Sequence, residues 1–224
     1  MFCECNSIVV RYGSAVVLDV EHLVIPAGWI TAISGPNGAG KTTLLEVLAL
    51  LRRPSRGQLS IWGQQVPPRA DRSLRQEIVM VMHAGYMFRG DVGLNVMYGL
   101  KARGLGRKEA KARTAQALDM VGLSGMARRD VASLSAGQRQ RVNLARAIAI
   151  GPRAILLDEP CANMDSKTIE AISDILRKFR DERGTTIVHT CPADGQLQKI
   201  SNKVVELVAG QIQTELVALK AKRA

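Results

Sequence analysis

The sequence is organised around one glycine-rich stretch, Gly35-Pro-Asn-Gly-Ala-Gly-Lys-Thr42. It follows the apolar residues 30–33 and precedes residues 43–48, whose composition favours a helix. Glycines let the backbone curl so that successive N–H groups point inward and form a nest for an anion. The helix N-terminus behind such a nest adds partial positive charge. A strand, this loop and a helix in that order therefore predict a site for the phosphates of a nucleotide.

Two side chains of the loop have the chemistry to complete such a site. Lys41 would bring a positive charge to the β- and γ-phosphates, and the hydroxyl of Thr42 would ligate Mg²⁺. A glycine-rich turn can also precede a helix without binding anything, but the full eight-residue pattern between a strand and a helix favours a nucleotide. The residues predicted to bind it here are Gly35, Pro36, Asn37, Gly38, Ala39, Gly40, Lys41, Thr42 and Thr43.

Composition limits the possible classes of protein. The chain has 224 residues, of which 46% are hydrophobic and 23% are charged, as in an ordinary globular protein with one large domain or two small ones. Its net charge of +11 fits a solvated surface, an anionic membrane surface or nucleic acid, and charge alone does not separate these. No apolar run is long enough to predict a transmembrane helix. The four cysteines are expected to be reduced thiols.

The N-terminal region predicts closely spaced strands at residues 7–10, 15–20 and 23–25, which favours an antiparallel sheet. Tyr12 follows the first of them, in a chain with only 4% aromatic residues. An exposed aromatic ring at a strand end can stack on a base. Ordinary packing in the sheet explains it equally well from position alone.

The second half of the chain predicts strands that end in polar residues. The apolar stretch Ala154–Leu157 ends in Asp158 and Glu159, and residues 185–188 form a strand candidate that ends at His189. An open α/β sheet holds its site at the carboxyl ends of its strands. The carboxylate pair and the histidine are therefore candidates for the same site as the glycine-rich loop.

The motifs, in this order, resemble the nucleotide-binding subunit of ATP-binding cassette (ABC) transporters, and the resemblance covers nearly all of the chain. Leu134-Ser-Ala-Gly-Gln138 is similar to the family signature Leu-Ser-Gly-Gly-Gln, which separates this family from other phosphate-loop ATPases. Ile155-Leu-Leu-Asp158, followed by Glu159, is similar to the Walker B motif, and residues 162–165 are similar to the loop that follows it.

The resemblance implies an α/β fold, in which a phosphate-loop NTPase core with a mostly parallel sheet flanked by helices carries an N-terminal antiparallel β-subdomain and an inserted α-helical subdomain. A single ABC ATPase domain is expected over residues 1–224. Its parts are the nucleotide-binding core with the β-subdomain (1–82 and 152–217), the helical subdomain with the signature (83–151) and a basic tail (218–224).

The resemblance also implies roles for the site residues. Asp158 would hold Mg²⁺ together with Thr42, directly or through water, because Mg²⁺ prefers hard oxygen ligands. Glu159 would act as general base toward the attacking water. His189 matches the switch histidine of the family and would donate to the γ-phosphate. Tyr12 matches the aromatic residue that stacks on adenine.

The signature would act on the nucleotide of a second chain. The hydroxyl of Ser135 and the helix N-terminus at Gly137 offer a second anion site, and Gln138 and Asp165 complete the set expected to contact ATP in trans. The family's helical subdomain holds the signature away from the phosphate loop of its own chain. The resemblance therefore implies a homodimer in which two chains face each other head to tail across ATP.

Three positions depart from the family pattern. Ala136 replaces a glycine of the signature, His83 replaces the glutamine that usually begins the loop between the subdomains, and Thr190 follows His189 where aspartate is usual. The role of His83 is left open between contact with the nucleophilic water and hydrogen bonding to the backbone of its own loop. These departures concern the rate of hydrolysis rather than ATP binding.

The implied function is ATP hydrolysis with Mg²⁺ on the cytoplasmic face of a membrane, coupled to import through separate permease subunits and indirectly to a substrate-binding protein. The cleft at residues 83–88 would receive a helix of the permease. Residues 48–54 and 98–104 are most similar to tungstate/molybdate-type oxyanion importers. One alternative is a soluble ABC ATPase acting on ribosomes or nucleic acid, although such proteins usually carry two cassettes or a coiled-coil insertion. Another is a regulatory sensor that binds nucleotide and scarcely hydrolyses it.

Overall fold

The computed structural model describes residues 1–67, 72–83, 85–162, 164–193 and 195–217. The predicted basic tail, 218–224, lies outside these residues. The strands in the described part are β1 Cys3–Tyr12, β2 Ala15–Ile25, β3 Ile30–Ser34, β4 Arg56–Ile61, β5 Gln64–Gln65, β6 Ile78–Val81, β7 Ala154–Leu157, β8 Thr186–Cys191, β9 Lys203–Val208 and β10 Gln211–Val217. The helices are α1 Lys41–Leu48, α2 Arg72–Gln76, α3 Val92–Ala102, α4 Arg107–Met120, α5 Ala136–Ile150 and α6 Ser166–Arg183. Short 3-10 turns span Met126–Arg128, Val131–Ser133 and Gln196–Ile200.

Four strands form an antiparallel sheet in the order β2-β1-β4-β5. The antiparallel N-terminal sheet is thus confirmed, with one difference. Residues 15–20 and 23–25, predicted as two strands, belong to the single strand β2, which pairs with β1 from Tyr12–Ala15 to Cys3–Ile25. A bulge between Val10 and Arg11 lets this long ribbon bend without ending.

Six strands form the second sheet in the order β10-β9-β3-β8-β7-β6. The pairs β3–β8, β3–β9, β6–β7 and β7–β8 are parallel, and β10 closes the sheet as an antiparallel hairpin with β9. The carboxyl ends of β3, β7 and β8 therefore lie side by side at one edge of the sheet. That edge is where an open α/β sheet holds its ligand.

Two hydrophobic clusters pack on opposite faces of the second sheet. One cluster joins it to α1 and to the antiparallel sheet, and Val188 belongs to it. The other joins it to α3, α4, α5 and α6, and Ile187 belongs to it. Neighbouring residues of β8 thus point to opposite faces, as the pleat of a strand requires.

The predicted fold class is confirmed: the chain is an α/β protein with an N-terminal antiparallel sheet and a mostly parallel sheet covered by helices. α3, α4 and α5 occupy the segment 83–151, in agreement with its predicted helical character. The division into a core and a helical subdomain at these boundaries stays a prediction.

Candidate nucleotide-binding site

The glycine-rich loop lies between β3 and α1, as predicted. Gly35 has φ +150°, and a Cβ atom there would overlap the carbonyl oxygen of Leu207 on β9. Gly40 has φ +96°, and a Cβ atom there would lie 2.8 Å from the carbonyl oxygen of Val17 on β2. Neither position admits a side chain, so these two glycines let the loop pack against both sheets while its backbone stays curled.

The N-terminus of α1 opens toward this loop. Its N-cap is Gly40, and no described side chain caps it by a hydrogen bond. The first N–H groups of a helix have no partner inside the helix, and they carry partial positive charge. The loop therefore presents backbone donors suited to an anion, as its glycine spacing predicts.

Lys41 places a positive charge over the loop. Its side chain is 5% exposed, and Nζ donates hydrogen bonds to the carbonyl oxygens of Gly35 at 2.8 Å and Pro36 at 3.0 Å. Its Nζ atom also lies 3.6 Å from Oε1 of Glu159, which follows β7 by two residues. The ammonium group thus joins the loop after β3 to the acidic end of β7.

Thr42 and Asp158 bring two hard oxygen ligands together. The Thr42 hydroxyl lies 2.9 Å from Oδ2 and 3.1 Å from Oδ1 of Asp158. The Asp158 carboxylate, 7% exposed, also accepts a hydrogen bond of 2.7 Å from the hydroxyl of Thr190 on β8. A hydroxyl and a carboxylate at this distance match the donor set that Mg²⁺ prefers.

Glu159 is held in an unusual backbone conformation. Its φ is +43°, in the left-handed region that non-glycine residues rarely adopt. Its N–H donates to the Thr190 hydroxyl at 2.8 Å, and its side chain is 28% exposed. Such conformations cost about 1–3 kcal/mol and persist where the surroundings enforce them, as at functional sites. Here the enforced turn directs the main chain away from β7 directly after Asp158.

The structure contradicts the prediction that a strand ends at His189. β8 continues to Cys191, so His189 lies inside the strand rather than at its end, and its ring is completely buried. It follows the pleat of β8 to the face of Ile187, opposite α1, where its Nε2 lies 2.9 Å from the Ser201 hydroxyl. The ring thus lies on the face of the sheet opposite the helix that follows the phosphate loop. The chain leaves β8 at Pro192.

Burial also determines the protonation of His189. Desolvation lowers its pKa from 6.5 to about 4, so the ring is neutral at physiological pH. Among the described residues its Nδ1 atom has no hydrogen-bond partner. His189 is therefore a neutral core residue.

His83 is exposed and lies beside the acidic end of β7. Its Nδ1 atom is 3.4 Å from the backbone carbonyl oxygen of Glu159, a long contact. This geometry fits backbone hydrogen bonding, one of the two roles left open by the sequence, and it also places the imidazole next to Glu159.

Tyr12 ends β1 with its ring 47% exposed. The guanidinium carbon of Arg52 lies 4.5 Å from the ring centroid, a cation–π contact that no sequence motif indicated. Tyr12 thus has the exposure that base stacking requires. A stacked base would contact the same ring as the Arg52 guanidinium.

The signature residues lie apart from this cluster, at the N-terminus of α5. Ser135 is the N-cap, its hydroxyl accepts from the Gln138 N–H at 3.2 Å, and the Gln138 side chain accepts from the Ser135 N–H at 3.0 Å. This capping box satisfies both side chains within one turn. A Cβ atom on Gly137 would lie 3.2 Å from Thr168 on α6, so the start of α5 packs closely against α6.

Asp165 is the N-cap of α6. Its carboxylate accepts hydrogen bonds from the Thr168 N–H at 2.8 Å and from the Thr168 hydroxyl at 3.0 Å. These bonds, that of the N–H first, lower the pKa of the exposed Asp165 carboxyl below its ordinary value. None of the hydrogen bonds between described residues joins Asp165 or Ser135 to the cluster around Asp158.

The structure therefore divides the predicted residues into three groups. Lys41, Thr42, Asp158 and Glu159 meet at one edge of the parallel sheet. Ser135, Gly137, Gln138 and Asp165 lie at the starts of α5 and α6. His189 belongs to the core. Thr190 was noted in the sequence only as a departure, and its hydrogen bonds to Asp158 and Glu159 make it part of the first group.

Comparison with known proteins agrees with the fold and the motifs. Residues 18–162 match the family model described as ABC transporter. The chain is 38% identical over 213 residues to the Fe(3+) ions import ATP-binding protein FbpC of Escherichia coli (strain K12), which covers 94% of this chain and 60% of that protein. It is 38% identical over 207 residues to the sulfate/thiosulfate import ATP-binding protein CysA of Mycolicibacterium paratuberculosis, covering 91% of this chain and 56% of that protein.

A solved structure supports the same conclusion. The dimeric post-hydrolysis state of the ATP-binding cassette MJ0796 bound to ADP and Pi has a TM-score of 0.86 and 27% sequence identity, over 96% of this chain and 98% of that one. The chain spans about three fifths of the length of the curated relatives named above. With the family model matching well over half of its residues, the chain belongs to the ABC transporter family.

Proposed function

We propose that the chain is the ATP-binding and ATP-hydrolysing subunit of an ABC importer. The observation that carries this proposal is the meeting of Lys41, Thr42, Asp158 and Glu159 at the carboxyl edge of the parallel sheet. Phosphoryl transfer needs positioning and charge stabilisation more than covalent chemistry from the protein. A nest of backbone donors, a lysine, two oxygen ligands and a second carboxylate supply these functions.

The loop and Lys41 bind the phosphates in this proposal. The ammonium group exchanges its two backbone carbonyl partners for phosphate oxygens, and the curled backbone around Gly38 contributes N–H donors. Thr42 and Asp158 hold Mg²⁺, which when bound neutralises charge on the phosphates. Tyr12 stacks on the base.

Glu159 is the general base. A carboxylate directly after the residue that holds the metal is in place to orient a water molecule toward the terminal phosphate. Its contact with Lys41 keeps it close to the phosphate loop. Its side chain remains partly exposed, so water has access to it.

Two chains form the complete site. Ser135 and Gly137 lie at an exposed helix N-terminus, and this N-terminus binds the ATP of a partner chain. Gln138 and Asp165 lie near it at the starts of α5 and α6. The dimeric state of the MJ0796 cassette supports the same assembly here.

An exposed aromatic surface is the candidate contact for the membrane subunits. Met82, Tyr86 and Tyr98 are more than half exposed, and Phe88 packs between the two tyrosine rings with centroid distances of 5.5 and 4.4 Å. Together with Arg146 they line a groove of about 380 Å³ beside His83. Exposed apolar patches of this kind mark protein–protein contacts.

The proposed partners are membrane permease subunits and, through them, a substrate-binding protein. None of the described helices is long and apolar enough to cross a membrane. In this proposal the chain lies on the cytoplasmic face of a membrane and binds separate permease subunits, which receive cargo from a substrate-binding protein. Relatives named for sulfate/thiosulfate and Fe(3+) import support the direction of transport. A tungstate- or molybdate-type oxyanion as cargo stays a sequence-based hypothesis.

One observation favours a second candidate, a nucleotide sensor with slow hydrolysis. His189 is buried on the far face of the sheet, so it does not contribute a histidine to the γ-phosphate. His83 replaces the glutamine that the family uses beside the nucleophile. The two candidates differ in the turnover number and not in ATP binding.

Release of inorganic phosphate from ATP by the purified chain tests the enzymatic part of the proposal. Wild type should hydrolyse ATP only with Mg²⁺, and Asp158→Asn should abolish the reaction, because it removes the charge that holds the metal without changing the shape of the side chain. Equal rates in the two proteins would exclude the proposed site. Mg²⁺-dependent binding without measurable turnover would favour the sensor.

Association with membranes tests the transport part. The double variant Tyr86→Ser, Tyr98→Ser should lose most of its binding to vesicles that contain the co-expressed permease, while ATP hydrolysis by the isolated chain is retained. Leu216→Ser is a matched control, because Leu216 is an exposed apolar residue on β10, outside the groove. If all variants bound such vesicles equally, the aromatic surface would have no role in docking.

A further inference from the structure

We propose that Thr190 is a positioning residue that fixes the metal-binding carboxylate and the general base relative to each other. The proposal rests on the functions proposed above for Asp158 and Glu159. Thr190 on β8 is hydrogen-bonded to both of these residues. Its side chain is completely buried, and its position on β8 places a hydroxyl against both Asp158 and Glu159.

The geometry of the hydroxyl is fully determined. Thr190 is 0% exposed, and its Oγ1 atom donates to Oδ1 of Asp158 at 2.7 Å. The same atom accepts from the N–H of Glu159 at 2.8 Å. A hydroxyl has a single hydrogen to donate, so the bond to Asp158 uses its donor capacity completely. One oxygen atom thus links the carboxylate of one residue to the backbone of the next.

Each of the two bonds restrains a different property of the site. The bond to Oδ1 fixes the rotation of the Asp158 carboxylate and leaves Oδ2 directed toward the Thr42 hydroxyl, at 2.9 Å. The bond from the Glu159 N–H satisfies the backbone in the left-handed conformation with φ +43°. That conformation determines where the Glu159 side chain begins. Thr190 therefore restrains the carboxylate of Asp158 and the backbone from which the Glu159 side chain starts.

The position of Thr190 on β8 explains how it reaches them. Val188, two residues earlier, faces the cluster that contains α1, and the pleat of the strand sends Thr190 to the same face. His189 points the other way, into the cluster with α6. β8 thus contributes a hydroxyl to the site where a histidine was predicted from the sequence.

A purely structural role is the competing explanation. A buried threonine on a strand can have no role other than to accept a hydrogen bond from a backbone N–H. Thr186 on the same strand does this: it is 1% exposed and its hydroxyl accepts from the Gly28 N–H at 2.9 Å. Thr190 differs because its donor goes to a carboxylate that is proposed to hold the metal. Thr186→Val is therefore a matched control for Thr190→Val.

The measurement is the affinity of Mn²⁺, as a probe for Mg²⁺, in the presence of a non-hydrolysable ATP analogue, followed by electron paramagnetic resonance. Thr190→Val should weaken Mn²⁺ binding or lower kcat by about 10- to 100-fold, the usual effect of removing a hydrogen-bond partner from a metal-binding carboxylate. Analogue binding without metal should be unchanged. Thr190→Ser should restore both values, and Thr186→Val should leave both unchanged while lowering Tm.

The proposal is overturned if Thr190→Val lowers Tm but leaves Mn²⁺ affinity and kcat at the values of Thr186→Val. It is also overturned if Thr190→Ser fails to restore them. If Thr190→Val does not fold, Thr190→Cys decides, because a thiol is a weak donor: intermediate Mn²⁺ affinity supports the proposal and wild-type affinity overturns it.

Asp158→Asn separates this proposal from the underlying one. If Asp158→Asn loses Mn²⁺ binding and Thr190→Val behaves like its control, the site is correct and only the role of Thr190 is wrong. If Asp158→Asn keeps wild-type Mn²⁺ affinity and hydrolysis, the proposed function fails, and the proposal for Thr190 fails with it.

Discussion

The carboxyl end of β7 and the N-terminus of α5 hold their polar groups in different ways. At the end of β7, Asp158 is bonded to Thr42 from the phosphate loop and to Thr190 from β8. At the start of α5, Ser135 and Gln138 are bonded to each other within a single turn. The first group joins three segments that are distant in sequence, and the second is a local cap.

This difference indicates what each region needs in order to work. Within the β7 group Lys41, Asp158 and Thr190 are buried, and hydrogen bonds within one chain assemble the group. The α5 group is exposed, and the described part of the chain holds it by hydrogen bonds within its own turn. The first N–H groups of α5 that the capping box leaves free can bind a molecule from outside the chain, which in our proposal is the ATP of a second chain.

Removal of Lys41 should have the largest effect on the β7 group. Lys41→Ala should lower ATP affinity by about 100-fold, because truncating a buried charged partner typically costs several kcal/mol. Isothermal titration calorimetry with ATP measures this directly. Lys203→Ala is a matched control: Lys203 is also buried and also donates to a backbone carbonyl, that of Val24. Equal loss in both variants would indicate general destabilisation rather than lost phosphate binding.

Substitution of Ser135 should affect the α5 group alone. Ser135→Arg should leave ATP affinity of the single chain within about twofold, since Ser135 has no hydrogen bond to the cluster around Asp158, yet it should prevent dimer formation. Light scattering with a non-hydrolysable ATP analogue reports the mass. Ser124→Arg places the same charge at an exposed serine elsewhere and should still allow dimers. Dimers of Ser135→Arg under these conditions would contradict the assembly across α5.

His189 should affect stability and not chemistry. The unfolded chain binds a proton near pH 6.5, whereas the folded chain binds it only near pH 4. The contribution of neutral His189 to the free energy of unfolding is therefore fully present above pH 6.5. It is lost as the pH falls from 6.5 to 4, and the loss is about 3 kcal/mol. Urea unfolding from pH 7 to 4 should show a smaller loss in His189→Gln than in wild type.

A matched histidine makes the test specific. His22 is exposed on β2, where its ring bonds Asn6, and His22→Gln measures what the same exchange does outside the core. The rate of ATP hydrolysis by His189→Gln at pH 7.5 should stay within about threefold of wild type. A loss of hydrolysis with unchanged stability would restore His189 to the catalytic residues.

His83 should give the smallest effect. His83→Gln provides an amide oxygen beside Glu159, and we expect kcat to rise by about two- to fivefold while ATP affinity is unchanged. His22→Gln, the same exchange outside the cluster, should have no effect on kcat. If His83→Gln had the same rate as wild type, a role of His83 in hydrolysis would be excluded. Its contact with the Glu159 carbonyl oxygen would then be purely structural.

Sequence reasoning succeeded where local chemistry determines the structure. The glycines at 35 and 40 face backbone atoms that exclude any side chain, so the shape of the loop can be predicted from their spacing. The helix that begins at the signature and the strand that ends before Asp158 are likewise determined by neighbouring residues, and each lies where the sequence predicts.

The strand end predicted at His189 was wrong because strand ends are not encoded locally. Extending β8 to Cys191 moves the ring from an edge to the middle of a strand, and the pleat then decides which face it meets. Thr190 could not be recognised for a related reason. Its role depends on the parallel register of β7 and β8, in which Leu157 pairs with His189 and brings Thr190 beside Asp158.

The most direct test of the central claim is the Glu159→Gln variant. It keeps the shape of the side chain and removes its basicity, so ATP should bind with wild-type affinity while phosphate release falls by about 100-fold or more. Radiolabelled ATP should then be recovered unhydrolysed in a stable dimer, and Glu170→Gln, at an exposed position on α6, should behave as wild type. Hydrolysis by Glu159→Gln at the wild-type rate would contradict the assignment of the general base and the site built around it.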